Sequence, residues 1–294
     1  SISTWFEGMQ RQVASYGVDP HITKAVQGLS ATFGLLMDDP VADLQAAYID
    51  DNPHPSGERE LLDQATSDAP YNYQHGAFHP YFRDIQNSLG LYDVFLFDLN
   101  GNLIYSVKKE GDFANNFVDG RYKQSGLGDA FRNAIEATKG SVTFVDFSPY
   151  APTNGSPAAF MATPVVGTSG TPIGVFAIQL PVIQVDDAVN SPVGLGETGE
   201  IILIANDSKA RSTSRFEDRH SVLGNLSFPP HIAGAIGQGG GHLVDLTGLN
   251  GSKSISTLRD VKILDLTWHI LAEFETAEVF SAAIAQRNKT IFVS

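Results

Sequence analysis

Two apolar runs, residues 93–107 and 158–181, are each interrupted by a glycine-bearing turn, Asn100-Gly101 in the first and Gly167 to Gly170 in the second. Apolar runs of strand length folded back by such turns are hairpins of an antiparallel sheet. A shorter version of the pattern recurs downstream. Residues 200–214 answer the first hairpin through a turn near Asn206 and Asp207, and residues 254–274 answer the second through a turn at 261–265. A strand-turn-strand unit that appears twice predicts a duplicated lobe, each copy built on its own antiparallel sheet.

The front of the chain follows a different period. Asp19-Pro20 and Asp39-Pro40 each set a capping carboxylate before a proline at the first helical position, so helices start near Pro20 and Pro40. Ile22, Val26, Leu29, Phe33, Leu36 and Met37 make one apolar helical face. Ser56 can cap a helix through Leu61 and Leu62, and a further helix runs from about His75 to Leu89, stopped by Gly90. From Tyr92 the period becomes two. Ser125 caps a helix near 126–137, 142–147 is a third strand, and a short helix at about 183–190 links to the second copy. Strand-strand-helix-strand-strand-strand is the order of a PAS-like lobe. The expected fold class is α+β: a long N-terminal helical stalk (1–90), a PAS-like lobe (91–182), a linker with a second PAS-like lobe (183–274), and a C-terminal helix (275–294).

Charge and composition narrow the function. The formal charge of −14, from 33 acidic against 19 basic residues, repels phosphate backbones, so nucleic acid is not an expected partner. No cysteine is present, which removes disulfides, thiolate metal sites and thiol nucleophiles together. No stretch approaches the ~18 apolar residues of a membrane span. The chain nevertheless begins in mid-helix pattern (Ile2, Trp5, Phe6, Met9, Val13), and at its end Arg287 and Lys289 precede a new apolar run. Those two features read as a piece cut at a membrane boundary.

Tyr92 to Asp98 with Gly101 and Tyr105, Asp146 to Pro152, Ala159 to Ala162 with Pro164, Ile173 to Pro181, and Gly194 to Glu200 with Arg211 and Ser214 occur in that order. In combination they resemble the double Cache (dCache) sensor domains of bacterial transmembrane receptors. The resemblance covers nearly the whole chain. It implies a periplasmic or extracellular domain of an inner-membrane protein, tethered by flanking spans and dimeric in the full receptor. It also implies a small-molecule pocket in the membrane-distal lobe and a histidine kinase, chemotaxis domain or diguanylate cyclase as output. Family members that bind free amino acids carry an Arg-x-Trp-Tyr-like motif after the first hairpin and an Asp near the end of the last distal strand. Here the first region reads Asp119-Gly-Arg-Tyr-Lys, and the second position is Gln179. A neutral amide supplies no counter-charge for an ammonium, so an amino-acid ligand is doubtful.

The expected pocket lies among the last three distal strands and the loop 119–125. Tyr122, Asp146, Tyr150 and Gln179 are its polar contacts, and Phe144, Phe160 and Phe176 are its walls, because rings with a few converging polar groups are what a small-molecule site needs.

Other motifs dissolve on inspection of their context. Gly194-Leu-Gly-Glu-Thr-Gly matches the dinucleotide fingerprint, yet it follows a linker and opens a strand where a fingerprint follows a strand and opens a helix. His75 and His79 are four apart on a helix and could face one metal, but they lack the Glu of a zinc protease and a nearby third ligand, Asp84 being a weak one. Asp98-Leu-Asn-Gly-Asn lacks the spacing of a calcium loop and suits a hairpin turn. No catalytic residue, metal or cofactor is expected. The competing class, a secreted or periplasmic hydrolase, predicts turnover of ester, peptide or glycoside probes. The reading adopted here predicts none, and a colorimetric assay with such probes separates the two.

Overall fold

The computed structural model describes residues 2–36, 39–190, 193–217 and 219–281. The chain divides into two compact units, one made of Gly8–Pro181 and the other of Ser1–Glu7 with Val182–Ser294. Helix α1 (Ile2–Tyr16) contributes its first turns to the second of these and the rest to the first.

Within Gly8–Pro181, the prolines act as expected. Asp19 accepts hydrogen bonds from the N–H groups of His21 and Ile22 at the start of α2 (Pro20–Phe33). Asp39 accepts from Ala42 N–H at the start of α3 (Pro40–Gln45), which runs into a π-helical turn at Ala46–Asp50. Each carboxylate satisfies donors that the first helical turn leaves without an intrahelical partner. The helix expected from Ser56 is reduced to a single 3₁₀ turn, Arg59–Leu61. Helix α4 (Pro70–Leu89) starts five residues earlier than its periodicity suggested and ends on Gly90 at φ 61°, a left-handed position that glycine adopts freely.

The sheet of this unit consists of β1 (Asp93–Phe97), β2 (Leu103–Ser106), β3 (Thr143–Pro149), β4 (Pro157–Val166) and β5 (Pro172–Leu180). Its spatial order is β2-β1-β5-β4-β3, and each pair is antiparallel. Helix α5 (Gly126–Ile135), capped by Ser125 as expected, packs on one face with Phe95, Phe97, Phe160, Val175 and Ala177. Helices α2 and α4 pack on the same sheet, bringing Val26, Leu29, Phe82 and Ile85 out of water. Most of the segment expected as a stalk is therefore part of the first compact unit, because its apolar stripes need this sheet to cover them.

The second unit contains α6 (Val182–Val189), β6 (Glu200–Ile204), α7 (Pro230–Gly237), β7 (Gly240–Thr247), β8 (Lys253–Ile263) and β9 (Leu266–Glu275). Its sheet has four antiparallel strands in the order β6-β9-β8-β7. That is the first sheet's β1-β5-β4-β3 with β2 missing. The return arm of the expected first hairpin shrinks to one isolated bridge, Ile204↔Ala210, so this sheet ends at β6. Ile202, Ile204, Ile232, Leu258 and Leu271 form its core, and Trp268 on the other face meets Phe6 edge-on at 5.4 Å. A helix occupies 276–281, and the rest of the expected C-terminal helix lies outside the described residues, as does Met37 of the α2 stripe. Among the described residues no helix is long and apolar enough to cross a membrane.

Gly174 on β5 sets how closely the central strands and α2 approach. A Cβ there would lie 2.2 Å from Phe97 O and 2.8 Å from Val26 Cγ1. Gly174→Ala is expected to destabilise the first unit by about 1–3 kcal/mol, the usual cost of overpacking a filled core. Urea denaturation checks it, and an unchanged midpoint contradicts the tight approach.

Candidate functional site

Strand alternation decides which side chains can share a site. On β5, Val175 and Ala177 face α5, so Gln179 points to the same side. Gln179 is in register with Asp93 on β1 and Phe160 on β4, which makes a row of three across the sheet. The Tyr150 ring meets Phe160 edge-on at 5.1 Å, and Tyr122 stacks on Phe117 at 5.9 Å. Tyr122 also donates to Gly111 O at 3.2 Å and accepts from Arg121, whose guanidinium lies over its ring.

Of the seven residues expected at the site, Tyr122, Tyr150 and Phe160 belong to one buried cluster, and Gln179 sits beside it on the same face. Phe176 and Phe144 do not join them. Phe176 lies between Val175 and Ala177 in sequence and so projects to the opposite face, where it packs on Tyr16 at 4.9 Å. Phe144 pairs with Met161, while its neighbour Val145 pairs with Phe160 and packs on the cluster. Phe176 is buried and Phe144 half-buried, both on the face away from the cluster, a correction that follows from the two-residue period. Asp146 falls in the irregularity between Val145 and Ser148, and its carboxylate accepts from Phe147 N–H at 2.7 Å.

The acid that meets Tyr150 is Asp112. Its Oδ2 accepts the Tyr150 hydroxyl, and its Oδ1 is buried with no hydrogen-bond partner. Gln179 Oε1 is buried and unpartnered as well. Beside them, Asp93 is saturated: Oδ1 accepts from the N–H groups of Val94, Val107 and Lys108, and Oδ2 accepts from Ser106 Oγ. Glu110 accepts from the Tyr92 hydroxyl at 2.7 Å. Burial pushes Asp93, Glu110 and Asp112 each up to about 7, and the mutual repulsion of these three carboxyl groups adds to it. Tyr150 is held well above its ordinary value by burial and by Asp112. Reading the sequence missed Asp112, which lies in a loop where neither periodicity nor a motif marks it.

On the helix side, His75 and His79 stack at 4.6 Å between ring centroids. His75 Nδ1 is 2.7 Å from Asp63 O, and His79 bridges Tyr105 Oη and Glu60 O through its two nitrogens. Burial drives both well down toward the neutral form. Three of their four ring nitrogens are hydrogen-bonded within the fold, His75 Nε2 being buried without a partner, and among the described residues no group of three metal-ligating side chains occurs.

Unpartnered buried acceptors are rare and costly, about 1–3 kcal/mol each. Two of them beside an acidic cluster and two aromatic rings make a place suited to a hydrogen-bond donor carrying positive charge. Gln179 alone offers no counter-charge, whereas Asp112, on another element, brings a carboxyl group to the same cluster through Tyr150.

No family model matches the chain, and no curated protein matches it in sequence. Solved structures do match in fold. The extracellular domain of rpHK1S-Z16, described as a histidine kinase, aligns with a TM-score of 0.50 at 16% identity, covering 94% of this chain and 96% of that one. The periplasmic sensory domain of the Campylobacter jejuni chemoreceptor Tlp1 aligns with a TM-score of 0.50 at 15% identity, covering 94% and 98%. At this identity the likeness shows the fold alone, two units in tandem, each on its own antiparallel sheet.

A pH dependence follows from the three carboxyl groups. Their folded-state values lie near 7, above ordinary values of 3.8 to 4.5. The folded state therefore holds protons that the unfolded state has released, and the stability this contributes is complete below about 4 and lost as pH rises through about 7. Asp112→Asn removes one titrating group. Its unfolding free energy is expected to fall less than the wild type's across that window, by on the order of a few kcal/mol. Parallel slopes for the two proteins in urea titrations at several pH values would contradict the assignment.

Proposed function

We propose that the chain is the extracytoplasmic sensing part of a membrane-bound signalling receptor, and that its first unit binds a small organic amine. The observation that carries this reading is the pair of buried, unpartnered acceptors, Asp112 Oδ1 and Gln179 Oε1, set beside Tyr150 and Phe160. The shared fold with sensor domains of a histidine kinase and a chemoreceptor supports the receptor context. An ammonium group meets both acceptors and offsets the excess negative charge of Asp93, Glu110 and Asp112, while the rings cover its apolar part. Asp112 is the counter-charge, Gln179 orients the donor, and Tyr150 holds the Asp112 carboxylate in place.

In this reading the Gly8–Pro181 unit is the membrane-distal lobe and the later unit the proximal one. Ligand binding favours one of two pre-existing arrangements by its differential affinity for them. The helix that starts at Thr276 carries that preference toward the membrane, where two receptor chains act as a dimer.

A thermal-shift screen of primary amines against neutral and anionic analogues of the same size tests the proposal. A ligand at ~100 times its dissociation constant adds about 2.7 kcal/mol. For the best amine, Asp112→Asn and Gln179→Ala are each expected to weaken binding by about 1–3 kcal/mol. Preference for anions, or unchanged affinity in both variants, would place the ligand elsewhere.

A further inference from the structure

The second unit has a cavity of its own, about 310 Å³, on the α7 side of its sheet. Its floor is Ile202, Leu226 and Leu249, all packed on the unit's core. One wall is an ion pair: Arg219 Nη1 donates to Glu200 Oε2 at 3.1 Å, and Ser214 donates to the other carboxylate oxygen. Glu200 is 4% exposed. The Arg219 guanidinium is fixed in direction by stacking on the Phe216 ring at 3.9 Å. Only one of its N–H groups is used by Glu200, so the rest of its planar fork is free to donate. His220 also lines the cavity, and its Nε2 is buried without a hydrogen-bond partner.

The surrounding charges constrain what can enter. Glu200 stands directly across β6 and β9 from Glu273, which is 7% exposed and accepts from Leu249 N–H under the cavity floor. An anion drawn to Arg219 would meet two buried carboxylates. A cation drawn to Glu200 would have to displace Arg219 from it. An uncharged group that carries a donor beside an acceptor meets neither penalty, because its N–H can face the Glu200 carboxylate while its C=O accepts from Arg219. A volume near 310 Å³ with an apolar floor suits a single flat ring.

We infer that this cavity is a second binding site, separate from the acidic site of the first unit, and that it takes a small uncharged molecule with an amide or lactam edge. The edge pairs with Glu200 and Arg219, and the ring lies on Ile202, Leu226 and Leu249.

Uracil and hydantoin are the probes, with acetate and methylammonium as charged controls, titrated into the ¹⁵N-labelled chain and followed by NMR. The two lactams are expected to shift the Leu226 and Leu249 amides and the Arg219 side-chain resonance in a saturable way. Leu226→Trp, which fills the cavity without touching the ion pair, should weaken the tighter lactam by at least about tenfold, and so should Arg219→Gln. Gln179→Ala should leave its affinity unchanged, so failure here is distinguishable from failure of the amine site. Melting curves of each variant show whether the unit stays folded, and Leu226→Trp keeps the test valid if Arg219→Gln unfolds. No saturable shift with either lactam, wild-type affinity in Leu226→Trp, or tighter binding of a charged control overturns the inference.

Discussion

The placement of β5 between β1 and β4 is the constraint on which the first unit depends. Val175 to Gln179 pair on both sides, and their alternation assigns every second side chain to the α5 face and the others to the helical face. A slip of one residue would exchange Gln179 for Ile178 and bring Phe176 into the site. Gly174 opposes such a slip, since its bare Cα lets Phe97 O and Val26 approach where any larger residue would push them apart. The same packing that excludes water from the helix side therefore puts Gln179 on the α5 face, in register with Phe160 and Asp93.

The two sheets show what a duplicated pattern can preserve and lose. Both keep the antiparallel run β1-β5-β4-β3 or its equivalent β6-β9-β8-β7, with one helix ahead of the last three strands in sequence. In the first unit β2 completes the edge, and the Asp93 carboxylate fastens its exit by accepting from Ser106, Val107 and Lys108. In the second, the residue at the start of the corresponding strand is Glu200, and it pairs with Arg219 and Ser214 in the loop that replaces the missing strand. Each unit thus buries an acid at the start of its first strand, but the first spends it on backbone donors and the second on a guanidinium.

How much of this could be read from the chain depends on the range of the interaction. Caps are local, so Asp19, Asp39, Ser125 and Gly90 marked helix ends correctly. Hairpins with tight turns were equally legible, including the 253–275 pair. Residues 215–253 gave no signal, because α7 and β7 lie in a glycine-rich stretch whose side chains carry little periodicity and whose pairing with β8 is the source of its order. Ser56 failed as a cap for the opposite reason: the prolines and glycine around it allow only one 3₁₀ turn. At the site, Tyr122, Tyr150, Phe160 and Gln179 came from resemblance and composition, whereas Phe144 and Phe176 were misplaced by one step of a two-residue alternation. Asp112 and Asp93 matter through contacts many residues away, and only the folded sheet brings those contacts together.

The loop after β2 joins the two faces chemically. Lys109, at φ 55°, turns its side chain to the helix side, where its ammonium donates to Val107 O and sits 5.2–5.9 Å from the centroids of Tyr48, Tyr105 and Phe113. Three residues later Asp112 turns to the α5 side and meets Tyr150. Burial pushes Lys109 down to about 7, against the attraction of Asp93. The histidines beside it are held neutral partly by its charge. Asp93 is the group through which the two faces meet, since its charge favours the Lys109 ammonium on one while it and Asp112 repel each other on the other, and the same carboxylate fastens the start of the loop through Val107 and Lys108.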